Sequence, residues 1–124
     1  MVRLGTLPSQ VSTVMEAVGQ VLHPLAPGEK IIGDCGVGLV TLCLGYEGLA
    51  AGTVDEPLLR ALRGLPALVF ANGGYAVVES APPEVKMQLE VWGPPPSSFA
   101  LLRALKRKFD PEGILSSGRF IGGL

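Results

Sequence analysis

Apolar residues at positions 11, 14, 15, 18 and 22 recur at helical spacing through SQVSTVMEAVGQVL. This predicts a first helix behind Pro8, with Ser9 as its N-cap. Ahead of it, VRLGTLPS reads as a strand that begins at once, with no lead-in. After a loop with Pro24 and a turn at Pro27-Gly28, KIIGDCGVGLVTLCLGYEG reads as one strand-like stretch, carried by Ile31, Ile32, Val37, Val40, Leu42 and Leu44. Gly33, Gly36 and Gly38 would weaken a helix there, and they allow a bend, a bulge or a close backbone approach.

DEPLLRALRGL predicts a second helix, with Asp55 or Glu56 at its positive end, Pro57 in its first turn and Gly64 as its C-cap. PALVFANGG fits either a strand, from Leu-Val-Phe, or a short helix framed by Pro66 and Asn72-Gly73. YAVVES is a strand, and APPEVKMQLEVWGPPPSS is a Pro-rich connector with room for extended pieces, in which the three consecutive prolines exclude helix at that point. The last helix is capped by Ser97 or Ser98. It carries an apolar stripe of Leu101, Leu102, Leu105 and Phe109, and stops at Asp110 before Pro111. The resulting order is β-α-β-α-(α or β)-β-connector-α. It predicts an α+β fold, a mostly antiparallel sheet with helices packed on one face, and a ferredoxin-like half-pattern as its nearest named arrangement.

The 124 residues suggest a single domain spanning 1–124, with 110–124 as a tail. With 48% hydrophobic and 17% charged residues and a mean hydropathy of +0.42, the chain is apolar for a soluble monomer, so part of its surface is expected to be covered. A formal net charge of −1 makes nucleic acid and anionic membrane poor partners, and no apolar run is long enough to span a bilayer. Cys35 and Cys43 lie too far apart along one strand to bond each other and read as buried reduced thiols of a cytoplasmic protein. MVRLGTLPSQ lacks the apolar core of a signal peptide.

Little catalytic chemistry assembles from spacing alone. Gly36-x-Gly38 has Thr41 where a dinucleotide-binding loop needs its third glycine, and strand follows where a helix N-terminus is required. His23, the sole histidine, reads as a solvated loop residue. Asp34, Glu47, Glu79, Glu84 and Glu90 show no pairwise spacing that demands one site, and Trp92, Tyr46 and Tyr75 are too scattered for a stacking platform. The basic residues at 103–108 read as a solvated face whose cations suit a helix C-terminus.

The tail DPEGILSSGRF asks for more than a helix stop. Gly113 and Gly118 mark two backbone turns, and Arg119, the residue type suited to planar charged recognition, follows the second. A C-terminal arm packed by Ile114, Leu115, Phe120 and Ile121 explains the same residues equally well.

The run LLRALKRKFDPEGILSSGRFIGGL resembles the carboxy-terminal signature of FAD-linked oxidases of the vanillyl-alcohol oxidase type, Lys-x-x-Phe/Leu-Asp-Pro-x-Gly-Ile-Leu/Phe-Asn-Pro-Gly-Lys/Arg. Lys106, Phe109, Asp110, Pro111, Gly113, Ile114, Leu115, Gly118 and Arg119 match it. Within that family, LEVWGPPPSSFALLRALKRKFDPEG and GRFIGG are most similar to the E subunits of glycolate oxidases. The resemblance covers about 75–124, and in element order 1–50.

It implies a carboxy-terminal cap domain that covers a flavin held by another domain, shapes the substrate pocket and folds its tail toward the isoalloxazine. It implies FAD as cofactor of the intact enzyme, with Arg119 as a flavin or substrate-anion contact, Gly118 as a point of close approach and Ser116 in place of the family's asparagine. The implied partners are an FAD-binding domain or flavin-carrying catalytic subunit and an iron–sulfur subunit.

Ser116-Ser117 replaces the family's Asn-Pro, and GDCGVGLVT lacks the histidines of metal-binding relatives, so no catalytic metal is expected. No segment supplies the Gly-rich FAD loops. The chain is therefore expected to be part of a longer protein or a separately encoded cap, inactive alone because the cofactor carries the redox chemistry. The rival expectation is a non-enzymatic ferredoxin-like regulatory or assembly module, binding a small effector or a partner subunit.

Overall fold

The computed structural model describes residues 1–45 and 55–124, so Tyr46 and Glu47 lie outside the described residues. The chain forms two compact units, Met1–Val91 and Trp92–Leu124.

In the first unit, β1 (Val2–Gly5) leads through a 3-10 turn, Pro8–Gln10, into α1 (Val11–Leu22). Then come β2 (Lys30–Asp34), β3 (Leu39–Cys43), α2 (Glu56–Phe70), β4 (Tyr75–Val78) and the one-turn helix α3 (Pro83–Lys86). The sheet order is β2-β3-β1-β4, and every neighbouring pair is antiparallel. This is the expected α+β fold, an antiparallel four-stranded sheet with packed helices.

Strand alternation sets the core. In the registers Val2↔Leu42, Leu4↔Val40 and Leu4↔Ala76, these side chains share one face and are buried there. Val11, Val14, Val18 and Leu22 of α1 and Leu58, Leu62, Leu65 and Val69 of α2 close the same core. On the other face, Ile32 and Tyr75 are exposed, while Arg3 is ion-paired to Glu79 at 2.8 Å.

The α1 periodicity holds, but Ser9 is not its cap. Ser9 lies inside the 3-10 turn that Pro8 opens, and Gln10 takes the N-cap position without a side-chain bond.

The single stretch expected over 30–48 is instead a hairpin, β2 turning into β3 through residues 35–38. The Gly38 amide donates to the Asp34 carbonyl at 3.0 Å, and the Gly36 amide to the Asp34 carboxylate at 2.9 Å. Gly38 has φ +72°, and a Cβ there would lie 2.1 Å from the Thr6 carbonyl oxygen. Close backbone approach is thus what this glycine provides, with the Thr6 amide donating to the Gly38 carbonyl at 2.8 Å. The thiols are correspondingly not both buried: Cys35 is exposed in the turn and Cys43 is half-buried, and both are free.

Gly64 does not end α2, and 66–70 is helix. The buried positions 58, 62, 65 and 69 keep one helical face on the core through both Gly64 and Pro66, so burial overrides the two breakers.

In the second unit, α4 (Phe99–Phe109) follows the prolines, with Ser98 at the N-cap position but no side-chain cap bond. Its apolar stripe is in register but unburied: Leu101 is 60%, Leu105 42% and Phe109 73% exposed.

Candidate functional site

Asp110 is where the tail acquires its geometry. It closes α4 with its amide donating to the Lys106 carbonyl at 2.8 Å, and its carboxylate turns onto the chain that follows. One carboxylate oxygen accepts the Ile114 amide and the other the Leu115 amide, both at 3.0 Å. The Lys106 ammonium donates to the second oxygen at 2.5 Å and also to the Leu115 carbonyl.

The Lys106 ammonium, seconded by the Leu115 and Ile114 amides, holds the Asp110 carboxyl below the usual carboxylate range against the opposing pull of burial. Taken as a whole residue, Asp110 is the one buried charged residue among the described residues. Lys106, Asp110, Gly113, Ile114 and Leu115 of the sequence motif are therefore one hydrogen-bonded loop.

Beyond this loop, the Arg119 amide donates to the Ser116 carbonyl at 3.1 Å and closes a turn in which Ser116 has φ 47° and Gly118 φ 74°. Space around Gly118 is open, so its left-handed backbone is the reason for glycine there. The indole nitrogen of Trp92 donates to the Arg119 carbonyl at 3.0 Å, and the Trp92 and Phe120 rings meet edge-on at 5.0 Å. Ser116, Gly118 and Arg119 thus share one exposed turn, held through backbone.

The other candidate acids carry structural roles or stand alone. Asp34 holds the hairpin turn and Glu79 pairs with Arg3. Glu84 and Glu90 are exposed. His23 is exposed as expected, but its Nδ1 lies 3.0 Å from a carboxylate oxygen of half-buried Glu29. Among the described residues, no three His, Cys, Asp or Glu side chains gather as a metal site. In the basic run, Lys106 is committed to Asp110, and the Arg103 guanidinium lies 5.0 Å from the Phe99 ring centre.

Spacing alone did not single out Asp110, Lys106 or Trp92. The available signal was Asp-Pro-x-Gly: a carboxylate at a helix end, before a proline and a left-handed glycine, is placed to cap the following amides. A cavity in the first unit, between α2, β4 and residues 87–90, is lined by Leu62, Arg63, Pro66, Val78 and Leu89 and was not foreseen. No protein family, curated protein or solved structure matches the chain.

Proposed function

We propose that the chain is the cap, or substrate-side, domain of an FAD-dependent 2-hydroxy-acid oxidoreductase of the glycolate-oxidase type. The observation that carries this reading is the tail: a loop pinned by Asp110 and Lys106 presents Ser116, Gly118 and Arg119 outward in one turn. In support, the strand order β2-β3-β1-β4 and the order βαββαβ among the described elements are consistent with the ferredoxin-like arrangement expected of such a cap.

The tail residues fit one edge of a flavin rather than its whole binding site. A guanidinium on an open glycine turn suits an anionic ring edge or a substrate carboxylate. Three cavities found among the described residues are each lined by residues of the first unit. The flavin would be held by another domain or subunit, where it accepts hydride equivalents from the substrate. This chain's residues would hold the substrate's charge through Arg119 and exclude water. An iron–sulfur subunit is the further partner this reading carries.

The test is an FAD titration of the purified chain, alone and joined to its flavin-carrying partner, read by flavin absorbance and fluorescence. The expected result is no binding alone and retention when joined, with Arg119→Ala lowering flavin retention or turnover. Retention in neither form overturns the reading, and an unaffected Arg119→Ala complex removes the role of Arg119.

The second reading, a non-enzymatic ferredoxin-like module binding a small effector, is favoured by the Arg63-lined cavity. It requires effector binding to survive deletion of 110–124.

A further inference from the structure

The β2 strand lies at the end of the sheet order, and among the described residues it pairs with β3 alone. Alternate backbone groups of a strand point to opposite sides, so half of those in β2 are directed to the free edge. Sheet edges are ordinarily blunted by proline, a bulge or an inward charge. The centre of β2, Ile31-Ile32-Gly33, has no proline or charge and pairs with β3 residue for residue, while Ile32 is 59% exposed. Charge occurs only at the two ends, Lys30 and Asp34, and with opposite sign.

That arrangement is self-complementary. We propose that β2 is a homodimer edge, pairing antiparallel with the β2 strand of a second copy about a twofold axis at Ile32. In this register each residue faces the one that brings the two numbers to a constant sum. Lys30 of each copy faces Asp34 of the other, Ile31 faces Gly33, and Ile32 faces its own counterpart on the axis. Both ends then carry an opposite-charge cross-strand pair, the exposed isoleucines cover each other, and the bulkier Ile31 meets a residue without a side chain. A slip by one residue in either direction parts the charges and the isoleucines. The product is one continuous eight-stranded antiparallel sheet. Edge pairing buries little area, so the association is weak and concentration-dependent.

The test is sedimentation equilibrium of the full chain, at concentrations up to about 1 mM. The expected result is a monomer–dimer equilibrium. Ile32→Lys, which sets two like charges on the axis, abolishes it with the far-ultraviolet circular dichroism unchanged. Lys30→Glu, which opposes Asp34 at both ends, weakens it by about tenfold or more. Asp34→Asn keeps an acceptor for the Gly36 amide, removes only the charge and weakens it less.

With Cys35 and Cys43 replaced by serine, Ile32→Cys oxidises to a covalent dimer. A chain monomeric throughout the range overturns the proposal and leaves the edge to some other strand. A dimer that survives Ile32→Lys, or an Ile32→Cys chain that fails to cross-link, overturns it equally.

Discussion

Asp110 shows how much one carboxylate organises. Its acceptor capacity is spent on the Ile114 and Leu115 amides and the Lys106 ammonium, which together lower its pKa. A carboxyl whose pKa is lower folded than unfolded contributes stability above the unfolded value, and loses it as pH falls through the folded one. The tail is therefore expected to stay ordered from neutral pH down to the ordinary aspartate range near about 3.9, and to loosen only below it. Trp92, the sole tryptophan, reports this because its indole is bonded to the Arg119 carbonyl. Its fluorescence should be flat to that point and then change. In Asp110→Asn this acid transition should be missing, and in Asp110→Ala the emission should already be that of a loosened tail at neutral pH. A wild-type transition that survives in Asp110→Asn would assign it to another group.

Among the elements, α2 carries the clearest internal conflict. Pro66 sits within it and lacks the amide that would bond four residues back. Pro66→Ala is expected to stabilise the chain by roughly 1–3 kcal/mol, bounded by the intrinsic proline–alanine difference in helices, as a shift in urea midpoint at constant slope. An unchanged midpoint would mean that the helix has already absorbed the proline at no cost.

The same helix marks a limit of reading from sequence. Gly64 and Pro66 are strong local punctuation, and the buried spacing 58, 62, 65, 69 that overrides them gains its force only once the sheet is there to bury it. Helices α1 and α4 were legible because their periodicity is uninterrupted. The β2–β3 hairpin was not. Gly36 and Gly38 signalled a bend, but whether the chain continues or reverses depends on the contact of Gly38 with the Thr6 backbone, distant in sequence. At the tail, the positions of Gly113, Gly118 and Arg119 were readable from turn chemistry, while the partners of Asp110 depended on the carboxylate's orientation.

For the molecule as a whole, the notable quantity is apolar surface left in water. Leu101, Phe109, Ile114 and Leu115 are each at least 60% exposed in the second unit. The isolated chain is expected to bind an apolar fluorescent dye. Leu101→Glu with Phe109→Ser should reduce that signal while changing stability by no more than about 0.5 kcal/mol each, since neither side chain is buried. On the proposed function, the same variant should bind a flavin-carrying partner more weakly. A marked loss of thermal stability in the isolated chain would show instead that these residues pack within it.

The bonds around Asp110 also bear on time. Its partners lie four or five positions away, and closing a chain segment of this length takes roughly 10–100 ns. The loop can therefore form early in folding, without waiting for long-range contacts. On the proposed function, a partner would meet a motif already in shape, and little ordering entropy would remain to be lost at the encounter. Association through this tail should accordingly proceed at the rate of a rigid docking, with no slow rearrangement after contact.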